Sequence, residues 1–218
     1  MPAVPSDFTT TAKLHTSVRV PVERRGAPLV IALHGKGMRA KGFERWLKPG
    51  IDAGGASWWV PRGIFPYELE NRRIGYAWYV WDGTQEALKA SMDEAREYLV
   101  GLTEAAVRRL RPSSVTLLGF SQGGYLGSYL ALSRPDLYQG LVCCCGRPKA
   151  EFVADLAAAK DLRVLIQVGE HDRAVSPELM EKGTRPLLDA GLTVDVRTYD
   201  AAHKLTAEMA RDAAEFVR

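Results

Sequence analysis

The apolar positions fall into short, nearly continuous runs separated by longer stretches with helical spacing. Pro28 to Leu33, Ser57 to Val60, Ser114 to Gly119, Gly140 to Cys145, Leu162 to Val168 and Thr193 to Tyr199 are the runs. Each has strand length, and the inner ones lack the apolar–polar alternation of a sheet with one wet face. Strands apolar at every position are buried on both sides, as in parallel sheets covered by helices. Between the runs, Thr84 to Leu110 carries Leu88, Met92, Ala95, Leu99 and Leu102 at helical spacing, with Gly101 as a break point and Pro112 as a stop. Further helices are expected over Ser121–Ser133, Ala150–Lys160, Pro177–Ala190 and Leu205–Val217. Alternating strand and helix gives an α/β fold with a mostly parallel central sheet, helices on both faces and no large lid domain. The stretch from Pro61 to Gly83 is aromatic-rich, aperiodic and read as a long functional loop.

Composition narrows the classes. A length of 218 residues suits one domain spanning 1–218, and 46% hydrophobic residues suffice for a sizeable core. The net charge of +3 is small and no run of five Lys or Arg occurs, so no nucleic acid is expected as partner. No apolar run reaches the roughly 20 residues of a membrane span. Met1 to Thr11 lacks the pattern of a secretory signal. Cys143, Cys144 and Cys145 are consecutive, which suits neither a disulfide framework nor a zinc site, and they are read as buried core thiols. The expected location is cytoplasmic.

The chemistry lies at strand ends. Gly119-Phe120-Ser121-Gln122-Gly123-Gly124 follows an expected strand and opens an expected helix. That is the setting of a G-x-S-x-G turn, in which glycines permit a sharp bend and the serine hydroxyl is lifted into the open. A serine hydroxyl needs a base, and the base an orienting acid. Of the four histidines, only His171 and His203 follow Ser121. Asp172 and His203 each follow a strand, in the order Ser, acid, His that this fold uses. His171 is the rival base, and Glu170 and Asp200 are rival acids. The loop Leu33-His34-Gly35-Lys36-Gly37-Met38 supplies the second oxyanion donor, with the Lys36 N–H joining that of Gln122. Met38, Tyr76, Trp78 and Trp81 are candidate substrate-binding residues, with Phe120 and Tyr79 near the cleft. Arg72 and Arg73 are read as exposed. A competing class exists, since Gly35-x-Gly37-x-x-Ala40 fits a dinucleotide fingerprint with Arg62 at the end of the next strand. It leaves Ser121, Asp172 and His203 without a role.

Together these motifs, with Gly169-Glu170-x-Asp172, Val175 and Ala202-His203, resemble the small carboxylesterase/phospholipase family, which includes acyl-protein thioesterases and bacterial carboxylesterases. The resemblance spans roughly residues 27 to 218. Two features depart from the family pattern: Lys36 stands where an apolar residue is common, and the segment 72–81 is only loosely like the family's Trp-containing loop. The resemblance implies a Ser-Asp-His hydrolase that cleaves carboxylic esters of small to medium acyl chains through an acyl-enzyme. Acyl thioesters and lysophospholipids are the alternative substrates, and a ligand-binding module on a hydrolase fold is the non-enzyme alternative. The expected partner is a small-molecule ester or thioester. No cofactor and no metal is expected, and a homodimer is allowed.

Overall fold

A computed structural model describes residues 16–218; the stretch Met1 to Thr11 and His15 lie outside the described residues. The order is β1 (Val18–Val22), β2 (Leu29–Leu33), α1 (Ala40–Asp52), β3 (Ser57–Pro61), β4 (Phe65–Glu68), β5 (Ile74–Ala77), α2 (Gln85–Leu110), β6 (Val115–Phe120), α3 (Gln122–Ser133), β7 (Gly140–Cys144), β8 (Arg163–Gly169), α4 (Pro177–Asp189), β9 (Val194–Tyr199) and α5 (Ala207–Val217). Seven strands form one sheet in the order β1-β3-β2-β6-β7-β8-β9. All neighbours pair in parallel except β1, which runs antiparallel along the edge of β3.

The continuous apolar runs have a simple cause. Successive side chains on a strand point to opposite faces. Leu29, Ile31 and Leu33 of β2 enter one core with Leu117 of β6, Leu141 of β7 and Ile166 of β8, covered by α2, α3 and α4. Val30 and Ala32 enter the other with Leu118, Val142 and Leu165, covered by α1 and α5. Both faces are dry, so both registers must be apolar.

Four elements depart from the sequence expectation. α1 is a 13-residue helix with Pro49 inside it. Its proline and adjacent glycine interrupt the helical signal, yet Gly50 is what lets α1 press onto α5: a Cβ there would sit 2.2 Å from the Ala210 carbonyl oxygen. β1 is short and half-exposed, and was not expected. The long loop after Pro61 contains a hairpin, β4–β5, turning through Arg72 at φ +60°. The helix expected over 150–160 is instead two single 3-10 turns, Ala150–Phe152 and Ala157–Ala159.

α2 runs unbroken through Gly101 for 26 residues. The Thr84 side chain caps its start by accepting from the Ala87 N–H, and Arg111 ends it in the left-handed conformation. Gly101 is exposed, its φ is ordinary, and a Cβ would meet nothing within 4 Å. Alanine there keeps the contacts and lowers the entropy of the unfolded chain. Gly101→Ala should therefore raise stability by about 1 kcal/mol, or about 2–4 °C in the thermal midpoint. A lower midpoint would mean that the exposed face of α2 is covered.

Candidate active site

Ser121 sits between β6 and α3 at φ +53° and ψ −119°. A side chain bearing a Cβ rarely holds that conformation, and the cost is of order 1–3 kcal/mol. The surroundings fix it. The Ser121 N–H donates to the Cys144 carbonyl at 2.9 Å, and the Ser121 carbonyl accepts from Gly124 at 2.8 Å and Tyr125 at 3.1 Å. The bend needs two bare α-carbons. A Cβ on Gly119 would lie 2.1 Å from the Gly123 carbonyl oxygen, and one on Gly123 would lie 2.2 Å from that of Leu33.

The acid and the imidazole arrive from neighbouring strand ends. Asp172 follows β8, and His203 follows β9. The two loops touch because Gly169 lets the 201–202 backbone approach; a Cβ there would be 2.6 Å from the Ala201 carbonyl oxygen. Asp172 is buried, with Oδ1 accepting from the N–H groups of Ala174 (2.8 Å) and Val175 (2.9 Å). Its other oxygen, Oδ2, lies 2.7 Å from His203 Nδ1. A carboxylate only accepts, so Nδ1 carries the proton and Nε2 is left to accept. Nε2 lies 2.8 Å from Ser121 Oγ. The Phe120 ring packs against the imidazole at 5.1 Å between centroids. The rivals lie apart from this arrangement: His171 Nε2 pairs with Asp200 Oδ1 at 3.1 Å on the exposed surface, and Glu170 is exposed.

Lys36 and Gln122 both line the cavity beside Ser121, and among the described residues neither backbone N–H has a partner. The N–H of Gln122 is the first of a helix and has no intrahelical acceptor. Among the described residues, the Lys36 N–H meets no acceptor either. The Lys36 loop is held by the hairpin: Gly37 donates to the Tyr76 carbonyl at 2.8 Å, and Tyr76 donates to that of Met38 at 3.0 Å. Gly75 rides directly on the Gly37 carbonyl, where a Cβ would fall 1.8 Å away.

A cavity of about 730 Å³ opens beside Ser121 and His203. Phe65, Tyr67, Val80, Leu88, Tyr125 and Val175 give it an apolar wall. Of the four candidate substrate-binding residues, only Trp81 lines it, at 55% exposure. The other three lie elsewhere, and each has a physical reason. Met38 and Tyr76 bridge the loop to the hairpin, and Tyr76 stacks under Arg62 at 4.6 Å. Trp78 is fully buried, its indole N–H donating to the His34 carbonyl at 2.7 Å. The hairpin residues Phe65 and Tyr67 were missed; the signal was the turn around Asn71 between one arm carrying Phe65 and Tyr67 and another carrying Ile74 and Tyr76. The Gln122 carboxamide was missed too. It accepts from the Trp78 N–H at 2.9 Å and donates to the Tyr79 carbonyl at 3.0 Å, tying the cavity wall to the nucleophile turn.

Metal-type ligands gather once among the described residues, where Cys145, Asp172 and His203 have ligand atoms within 4.8 Å of one another. Both imidazole nitrogens are already engaged there, so an ion could enter only by breaking the contact to Asp172 or to Ser121.

His34 anchors the oxyanion loop from beneath. Its Nε2 accepts from the Gly63 N–H at 3.0 Å, so its Nδ1 is the protonated nitrogen, donating to the Gly35 carbonyl at 2.8 Å. Burial penalises the imidazolium and lowers the pKa from the usual 6.5 to about 4. The unfolded chain therefore binds more protons between those values, so this contribution is complete above pH 6.5 and is lost as the pH falls toward 4. The loss is on the order of 3 kcal/mol. Urea titrations should show that fall in the native protein and a shallower one in His34→Gln. Equal slopes would contradict the buried neutral imidazole.

Comparisons with known proteins show the family and the fold. A model of the phospholipase/carboxylesterase family matches residues 15–218. A Nocardia uniformis subsp. tsuyamanensis protein named as an esterase, NocK, is 32% identical over 167 residues, covering 67% of this chain. The chain spans about half the length of that relative, 45%. The Bacillus cereus carboxylesterase has the same fold at 19% identity, with a TM-score of 0.74 over 93% of each chain. Arabidopsis thaliana SOBER1 does so at 20% identity, with a TM-score of 0.70 over 88% of this chain and 98% of its own. Matched along almost its whole length by that model, the chain belongs to the phospholipase/carboxylesterase family.

Proposed function

We propose that the protein is a serine hydrolase that cleaves carboxylic esters of small to medium acyl chains through a covalent acyl-enzyme. The observation that carries this reading is the 2.8 Å approach of His203 Nε2 to Ser121 Oγ, with Asp172 on the far nitrogen at 2.7 Å. In this reading His203 takes the hydroxyl proton as Ser121 attacks the carbonyl carbon. The charge that develops on the carbonyl oxygen is held by the N–H groups of Lys36 and Gln122. His203 then passes its proton to the leaving oxygen, the C–O bond breaks, and the alcohol departs. Water repeats the sequence on the acyl-enzyme and releases the acid. Asp172 keeps the imidazole in the tautomer this requires and stabilises the imidazolium between steps. The apolar wall of the cavity suits an acyl chain, and its volume suits one of modest length.

Ser121→Ala should lower kcat for p-nitrophenyl butyrate at least roughly a thousandfold with little change in the thermal midpoint. Asp172→Asn should cost a similar factor, because an amide stabilises the wrong tautomer. Retained turnover in a folded Ser121→Ala protein would remove this reading and leave a binding module on a hydrolase fold.

A further inference from the structure

A second cavity, of about 410 Å³, lies next to the Ser121 cleft across the Lys36–Met38 loop. Met38, Trp46, Leu69 and Ile74 give it an apolar wall, and Arg39, Lys41, Arg45 and Arg73 a cationic rim. No Asp or Glu lines it. Arg39 donates to the Ile74 carbonyl. Among the described residues none of the four cations is paired with a carboxylate. Some exposed cations elsewhere among the described residues are paired, as in Lys48–Asp52, Lys89–Asp93, Arg134–Asp136 and Arg185–Asp189, while others such as Lys160 and Arg211 stand singly; what sets the cavity apart is that four gather around one concavity. Four like charges around one concavity repel each other, and an anion seated among them removes that repulsion.

The two cavities share a partition. Lys36 and Tyr67 line the first, while Gly37, Met38 and Leu69 line the second. Packed rings lie between the second cavity and the imidazole: Trp46 meets the Phe120 ring edge-on at 5.4 Å, and Phe120 meets His203 at 5.1 Å. When the bond between the acyl carbon and the leaving atom breaks, that atom takes its proton from His203 Nε2. The leaving half of the substrate therefore departs on the imidazole's side.

We propose that the cationic cavity receives a carboxylate or phosphate carried by the alcohol or thiol half of the substrate, so that anionic leaving groups are preferred over neutral ones of equal length. This rests on the hydrolase reading above and adds the class of leaving group. Arg45 and Arg73 are the specificity-determining residues. Arg45 lies on α1 and Arg73 in the turn of the hairpin just before β5, so the two reach the cavity from different elements.

Matched thioesters separate charge from size and also separate the two anions. S-butanoyl-4′-phosphopantetheine is set against S-butanoyl-pantetheine, and S-butanoyl-3-mercaptopropionate against the corresponding amide, with thiol release followed by a disulfide dye. In at least one pair kcat/KM should favour the anion about fivefold or more, and the preference should shrink as salt is added. Arg45→Gln/Arg73→Gln should lose the preference and leave the neutral member of each pair unchanged. Equal rates within both pairs, or a preference that survives the double variant, would overturn the proposal. S-butyl-4′-phosphopantetheine and S-butyl-pantetheine are thioethers that cannot be cleaved, and their binding reads the cavity without the chemistry. Tighter binding of the phosphorylated thioether, lost in the double variant while neither the thioesters nor p-nitrophenyl butyrate is turned over, would keep the anion site and discard the hydrolase reading. Equal binding of the two thioethers, together with equal rates within the carboxylate pair, would discard the anion site.

Discussion

The site depends on one backbone constraint, the left-handed conformation of Ser121 between β6 and α3. A strand that continued straight would bury this side chain in the sheet. A looser turn would leave it on a mobile loop. The observed bend does neither, because the Ser121 N–H and carbonyl are both tied by hydrogen bonds and two glycines remove the atoms that would block it. The strain is of order 1–3 kcal/mol, and the dry, fully apolar strands on either side supply the stability that offsets it. Stability generated in the two cores is thus used to hold one hydroxyl at the carboxyl edge of the sheet.

The same economy governs the other side chains. β8 and β9 end side by side, and Gly169 lets their following loops touch, so Asp172 and His203 meet without any long-range closure of their own. Asp172 is held by two backbone N–H groups as well as by the imidazole, which makes it a fixed point about which the ring is oriented. On the opposite flank the Gln122 carboxamide clamps the backbone at Trp78 and Tyr79. The residue that follows the nucleophile therefore also fixes the cavity wall, and substitutions that disturb either should disturb both.

Much of this was legible in the sequence, for physical reasons. Runs such as Leu29–Leu33 can only be strands buried on both faces, and the glycines around Ser121 have no use in an ordinary turn. The order of Asp172 and His203 follows from the order of the strands that carry them. What was not legible depends on tertiary contact. α1 hides behind Pro49 and Gly50, residues that oppose a helix locally but allow it to dock closely on α5. The β4–β5 hairpin has a weak pattern because its second arm is read against the oxyanion loop, through Gly75 on Gly37, and not against a core. For the same reason Trp78, expected in the pocket, lies beneath it against His34, while Phe65 and Tyr67, without a motif, form the wall.

The central claim is that Ser121 is the nucleophile of an acyl-transfer site. Its most direct test is to react the folded protein with a fluorophosphonate and locate the adduct by peptide mass mapping. The account predicts one adduct per chain, on Ser121, lost when the protein is unfolded before labelling. Labelling at another residue, or none under conditions where the protein is folded, would contradict it.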